Sequence, residues 1–323
     1  MKVRITQIDG ALPNLALMKL SHWHKARGDE VHFSRSVERD MFEPAEYDRV
    51  YGSAIFKFSQ ERLMRFQRQF PGAIIGGTGT PSVGTVEELL GDDYEHYDYS
   101  LYPDVSFSMG FTQRGCRLSC KFCVVPKKEG KARSVSTIAQ LYRGDPHPRH
   151  LHLLDNDFFG QPREQWQARI REIQDGKFKV ALTQGINARM VDDESAAALA
   201  SIDYREGKLF KDKRLYTAWD NKKEEARLIK GLETLSKHGI KPGHLMVYML
   251  IGFWKGETED DWLHRQSTLR AFGATPYPMP FVRTKETIGF QRWCVGAYDK
   301  AIPWEEWKAA NYYPTNLRRK EAA

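Results

Sequence analysis

Apolar positions along the first ninety residues alternate between two rhythms. Residues 2–8 form a β-rich run. Residues 15–26 repeat apolar side chains at helical spacing (Leu15, Met18, Leu20, Trp23) until Gly28 ends the pattern. Residues 31–33 and 48–56 read as strands, 59–70 as an amphipathic helix, and 73–75 as a buried strand running into Gly76 and Gly77. This β-α-β-β-α-β order predicts a parallel sheet covered by helices. The turn from Gly76 to Pro81 falls at a strand's carboxyl end, where open α/β sheets bind ligands. A tight turn serving only the backbone is the equal alternative.

Residues 91–103 are acidic, rich in tyrosine and without period, and predict a linker. A second rhythm follows. Strands are expected at 105–111, 150–154, 179–183, 214–218 and 245–251, and helices at 136–142, 163–175, 192–201, 223–238 and 259–272. Repeated βα units of this kind build a complete or partial barrel. Polar residues follow the strands, which is where such barrels place their chemistry. After Ala274 the chain is rich in Pro, Trp and Tyr, and the pattern assigns it no element. The expected class is α/β in three parts, 1–100, 101–275 and 276–323.

Charge adds one constraint. Lys and Arg number 49 against 42 Asp and Glu, giving +7 and a pI near 9.1, a balance that suits an acidic partner such as nucleic acid. No run approaches the roughly 18–20 apolar residues of a membrane span. The start, MKVRITQID, lacks the apolar core and cleavage site of a signal peptide. A cytoplasmic protein without a membrane partner is expected.

Of the four cysteines, Cys116, Cys120 and Cys123 share one short segment. A disulfide framework spreads its cysteines at loop-closing separations, so this clustering points to a metal. The spacing CxxxCxxC lets one loop supply three thiolates to an iron–sulfur cubane and leave the fourth iron open. Three alternatives stand beside it. A zinc site would need paired knuckles or a Cys/His set, and His147, His150 and His152 are not at finger spacing. Buried structural cysteines are a second, and a closed electron-transfer cluster using Cys294 is a third.

An aromatic, Phe122, stands before the last cysteine, and the loop follows the first strand of the βα series. In these features the chain resembles the radical S-adenosylmethionine (SAM) superfamily. The order of elements from about 105 to 283 is similar to that family's partial (β/α)6 barrel. Leu250-Ile251-Gly252-Phe253 followed by Gly256-Glu257-Thr258-Glu259 resembles a strand end and helix start common among its members. The first hundred residues resemble the Rossmann-like, cobalamin-binding-type domain of one branch. The DxHxxG motif that ligates cobalt there is absent, since His22 and His24 lie in the first helix.

The resemblance implies an enzyme with a [4Fe–4S] cluster on Cys116, Cys120 and Cys123, S-adenosylmethionine on the open iron, and cobalamin as a candidate third cofactor. Reductive cleavage of SAM then gives a 5′-deoxyadenosyl radical that takes hydrogen from a substrate carbon. Phe122 matches the aromatic near the adenine. Asp155 and Asp157 match contacts to the SAM amino group, Arg189 a clamp on its carboxylate, and Gln184 and Asn187 partners of the ribose. Asp220 follows the fourth strand at a position that relatives make polar, and Gly252 would allow close approach of a ligand. Cys294 is the candidate catalytic residue, as hydrogen-atom donor or acceptor of a substrate bond, against the alternative of an inert buried thiol.

Lys127, Lys128, Lys131 and Arg133 either face an anionic substrate or form a solvated loop. Trp293, Tyr298, Trp304, Trp307, Tyr312 and Tyr313 either cover the barrel mouth or pack the tail. Expected partners are a small-molecule or nucleotide substrate, nucleic acid included, and a reductase such as flavodoxin or ferredoxin. The product would be a rearranged or C-methylated molecule. No cysteine precedes Cys116, which excludes the second cluster of methylthiotransferases. The competing class is a non-catalytic iron–sulfur or nucleic-acid-binding protein.

Overall fold

The computed structural model describes residues 1–80, 85–91 and 94–312, and the chain forms two compact units, Met1–Ser106 and Phe107–Ala323. In the first, parallel strands β1 (Lys2–Gln7), β2 (Glu30–Ser34), β3 (Arg49–Ser53) and β4 (Ile74–Gly76) lie in the order β2-β1-β3-β4. Helices α1 (Leu15–Ala26), α2 (Gln60–Gln69) and α3 (Val86–Leu90) accompany them. β1 is central, so Val3 and Ile5 are fully buried, packed with Leu17 and Leu20 of α1. Leu63 and Phe66 of α2 pack with Ile8 and Ala54. Asn14 starts α1 by accepting a hydrogen bond from the Leu17 N–H at 3.2 Å.

No helix covers the crossover from β2 to β3. Buried Arg4 organises it instead, meeting the Glu43 carboxylate at 2.8 Å and the carbonyls of Ser36 and Glu38 at 3.1 Å each. The turn after β4 folds back onto the chain beyond β3. The Gly79 N–H donates to the Ala54 carbonyl at 3.0 Å, and a Cβ on Gly77 would come within 2.2 Å of that same oxygen. Its backbone role is therefore plain, and Pro81 lies outside the described residues.

The expected linker is shorter than 91–103. Residues Tyr99–Leu101 make a helical turn capped by Asp98, and Leu101 and Tyr102 are buried against Met18. The Tyr102 hydroxyl donates to Gln7 at 2.9 Å. Those contacts carry the first unit to Ser106 rather than residue 100.

The second unit contains β5 (Ser108–Gly110), β6 (Gln113–Arg114), β7 (Arg133–Ser134), β8 (His150–Leu153), β9 (Lys179–Leu182), β10 (Asp203–Tyr204), β11 (Leu215–Ala218), β12 (Leu245–Ile251) and β13 (Thr275–Pro280). Its helices are α4 (Val125–Lys128), α5 (Ile138–Leu141), α6 (Arg163–Asp175), α7 (Asp193–Ala200), α8 (Glu225–Lys237), α9 (Glu259–Phe272), α10 (Lys285–Val295) and α11 (Trp304–Tyr312). Two sheets are parallel, β10-β9-β8-β5 and β11-β12-β13, while β6 and β7 pair antiparallel. The Ile186 N–H, just past β9, donates to the Tyr216 carbonyl of β11 at 2.7 Å.

Strand alternation divides the side chains. Leu151, Leu153, Val180, Leu182, Leu215, Leu245 and Val247 enter one core with Leu228, Leu232 and Leu269 of the helices. On the other face Tyr216, Tyr248 and Tyr277 form a row, each adjacent pair 5.7 Å between ring centroids. The fold is thus α/β with parallel sheets, and among the described residues no helix is long and apolar enough to cross a membrane.

The tail supplies one strand and two helices. β13 reads TPYPMP, and its prolines recur every second residue. That spacing sets every missing N–H on the side away from β12. The Phe281 N–H continues the odd-numbered side to the Ile251 carbonyl at 2.9 Å, and the Pro278 carbonyl faces outward to Gln291 at 2.8 Å. Trp293, Trp304 and Trp307 are buried in the core, Tyr298 is exposed, and α10 and α11 pack through their rings. Packing is therefore the role of the three tryptophans. The Tyr312 side chain and Tyr313 lie outside the described residues.

Candidate functional site

The three clustered cysteines sit in a hairpin. Gln113 and Arg114 of β6 pair with Ser134 and Arg133 of β7, closing the loop that carries Cys116, Cys120 and Cys123. Gly115 enters it at φ +76°, where a Cβ would lie 2.1 Å from the Lys131 carbonyl oxygen, so only glycine fits. The Cys116 N–H donates to the Gly130 carbonyl at 3.2 Å, and the Cys123 N–H to the Cys120 carbonyl at 3.0 Å.

Buried side chains from the β8 end hold this hairpin. The Asp155 carboxylate accepts from the Thr112 N–H at 2.7 Å, the Gln113 N–H at 3.1 Å and the Thr112 hydroxyl. Asp157 grips the Arg117 guanidinium with both oxygens, at 2.7 and 2.9 Å, and its N–H donates to the Gln113 side chain at 2.9 Å. The expected contact of Asp155 and Asp157 with the SAM amino group therefore gives way to a positioning role: their oxygens are already engaged with the hairpin. Glu129, which sequence reasoning missed, accepts from the Gly115 N–H at 3.1 Å and the Asn156 amide at 2.8 Å. Nothing in its neighbours along the chain signals that role.

All three thiols are free and half-buried. Burial is the main cause raising the Cys116 and Cys120 thiols; the charges of Asp157 and Cys123 raise Cys116 further, and those of Asp220, Cys123 and Cys116 raise Cys120. The Leu118 N–H donates to the Cys116 sulfur at 3.4 Å, as it would to a thiolate. Among the described residues no three His, Cys, Asp or Glu side chains are gathered into a set that could hold a metal ion. The fit of the hairpin to an iron–sulfur cluster accordingly rests on donor chemistry: three soft, mutually coupled sulfurs on one pinned loop.

Arg189, after β9, and Asp220, after β11, both act electrostatically on Cys120, the first lowering and the second raising its thiol. Arg189 pairs with Glu224 at 2.5 Å and donates to the side-chain amide oxygen of Asn187 at 3.0 Å. Among the described residues the side-chain N–H2 of Asn187 has no hydrogen-bond partner, which leaves it open to an acceptor. Burial pushes Asp220 up to about 6, against the pull of Arg189. Gly252, at φ +74°, donates its N–H to Glu257 at 2.8 Å. Glu257 in turn pairs at 2.6 Å with buried Arg265, whose guanidinium also donates to the carbonyls of Trp219 and Leu250. This latch fixes the ends of β11 and β12. Phe122 meets Phe253 edge-on at 5.6 Å. Gln184 is exposed in the loop after β9.

No family model, curated protein or solved structure matches this chain.

Cys294 belongs elsewhere. It is buried in α10 among Phe290, Trp293 and Trp304, and burial drives its thiol strongly upward. A thiol sealed in the helical core has no access to a substrate, so Cys294 is withdrawn as a catalytic candidate.

The first unit has a separate cleft of about 650 Å³ at the carboxyl ends of β1 and β3, lined by Gln7, Asp9, Arg35, Phe56, Phe58 and Arg62 among others. Asp9 there accepts from the N–H groups of Ile55 and Phe56 at 2.7 and 3.0 Å. No histidine lines this cleft, so its donor set does not fit a histidine-ligated cobalt.

Proposed function

We propose that this chain is a radical SAM enzyme. The carrying observation is the pinned three-cysteine hairpin that follows β5, electrostatically coupled to Arg189 and Asp220, with the Asn187 amide, unpartnered among the described residues, nearby. In this reading β5, β8, β9, β11, β12 and β13 are the strands of a partial (β/α)6 barrel, and β1–β4 form a Rossmann-like, cobalamin-binding-type domain without a cobalt-ligating histidine.

Cys116, Cys120 and Cys123 would hold a [4Fe–4S] cluster, which when bound supplies the electron that cleaves the sulfonium C–S bond of S-adenosylmethionine. The chain's own residues do the positioning. Arg189 offers a guanidinium for the SAM carboxylate, and Asn187 an amide N–H2 for a ribose oxygen. Phe122 gives the adenine an apolar ring face next to the last cysteine. Asp220, raised by burial, is a hydrogen-bond donor when protonated and an acceptor otherwise. Asp155, Asp157 and Glu129 keep the loop in one conformation, and the Gly252–Glu257–Arg265 latch does the same for the facing strand ends.

Anaerobic reconstitution with iron and sulfide, then incubation with SAM and dithionite, tests the proposal. Formation of 5′-deoxyadenosine, abolished in Cys120→Ala, is the expected outcome. A chain that takes up no cluster would refute the assignment.

A further inference from the structure

Residues 116–133 carry six Lys and Arg and one acid, Glu129. Arg117 turns inward to Asp157, and Glu129 turns inward to Gly115 and Asn156. Lys121, Lys127, Lys128, Lys131 and Arg133 remain, and among the described residues none of these five has a carboxylate within ion-pair distance. Four of them are exposed and Lys128 is half-buried. Between them Val124 is 44% exposed.

An aromatic line starts from the same hairpin. Phe122 meets Phe253, and Phe253 meets Phe281 at 4.7 Å, edge to face. Phe281 is 47% exposed and Val282 52% exposed, and Arg283 and Lys285 follow on the same exposed segment. The charge of the whole chain is divided to match. Residues 107–323 hold 37 Lys and Arg against 26 Asp and Glu, whereas residues 1–106 hold 12 against 16.

We infer that this face, the outer side of the cysteine hairpin with Phe281 and the start of α10, docks a single-stranded stretch of nucleic acid. Cations of one sign track a phosphate backbone, and exposed rings among them stack on bases whatever their identity. An acidic protein would use the charges alike but has no need of the ring. The inference deepens the proposed function by giving its substrate class, and it rests on that function only in calling the docked strand a substrate.

The test is fluorescence anisotropy of labelled RNA and DNA oligonucleotides of one sequence with the full-length, cluster-loaded chain, without SAM, from about 50 to about 300 mM salt. With up to five phosphate contacts at about 0.7 per contact, affinity should fall with salt at a log–log slope near −3.5. The double variant Lys127→Glu/Lys131→Glu should lose at least about tenfold in affinity and flatten the slope by more than about 1. Phe281→Ala, on a separate element, should weaken binding about tenfold and leave the slope unchanged.

Binding of either polymer supports the inference, and a preference assigns the strand type. No binding at the lowest salt, or binding indifferent to the lysine reversals, overturns it. Indifference to Phe281→Ala together with equal competition by polyglutamate also overturns it, and assigns the face to an acidic protein. Strand binding without SAM cleavage would count against the proposed chemistry alone. SAM cleavage without strand binding would count against this inference alone.

Discussion

Asp155, just after β8, braces the cysteine hairpin from a buried position. It accepts hydrogen bonds from neutral donors of Thr112 and Gln113, and burial pushes it up from 3.8 to about 7. The fold therefore favours its protonated form. Its contribution to stability is complete below the ordinary value and is lost as pH rises through about 7. Asp155→Asn keeps an oxygen for both N–H donors and offers its amide to the Thr112 hydroxyl. The variant should flatten the fall in melting temperature between about pH 6 and pH 8 that the parent shows. Parallel thermal melts check this, and parallel pH profiles for the two chains would count against it. Asp155 also marks where residue-level legibility ends. The clustering of Cys116, Cys120 and Cys123 is visible in their spacing, whereas the roles expected of Arg189, Asn187 and Asp220 come from the family resemblance. Whether a carboxylate is already engaged depends on partners far along the chain. Asp155 meets Thr112 across 43 positions and Glu129 meets Asn156 across 27, so neither engagement is written locally.

Elements were legible where burial and local preference agree. α6, β12 and α9 begin and end where their patterns predict, since Gly176, Gly252 and Gly273 follow them as stop signals. β13 was hidden because three prolines in six residues argue against a strand, and only its position beside β12 with a free outer edge makes them compatible. A similar conflict sits in α8. Gly231 lies mid-helix, where alanine would ordinarily stabilise by about 1 kcal/mol. Here an added Cβ would stand 1.8 Å from the Ala188 carbonyl oxygen, in the turn that carries Arg189. Gly231→Ala should therefore destabilise, by about 1–3 kcal/mol as overpacking does. It should also displace the Asn187–Arg189 segment and, under the proposed function, weaken SAM binding. Denaturant midpoints and SAM titration of the loaded protein check both, and a stabilised variant would show that α8 does not brace that turn.

At the scale of the molecule, the two units differ in how each is held and in what each carries. Among the described residues the first has three core clusters: Val3, Ile5, Leu17 and Leu20 in one, Leu63, Phe66 and Phe70 in another, Met18, Leu101 and Tyr102 in a third. Arg4 closes its one helix-free crossover from inside, and Tyr102 returns the chain to Gln7. A domain of about this size buries enough surface to fold alone. Residues 1–106 expressed by themselves should thus unfold in one cooperative thermal transition. With 16 acidic against 12 basic residues, the fragment should bind an anion exchanger at neutral pH, where the net-positive full chain should not. A cooperative melt would make the first unit a scaffold of independent stability, leaving the cysteines and the excess of positive charge to the second. A broad, non-cooperative melt would mean that residues beyond Ser106 supply part of what holds β1 and α1 together.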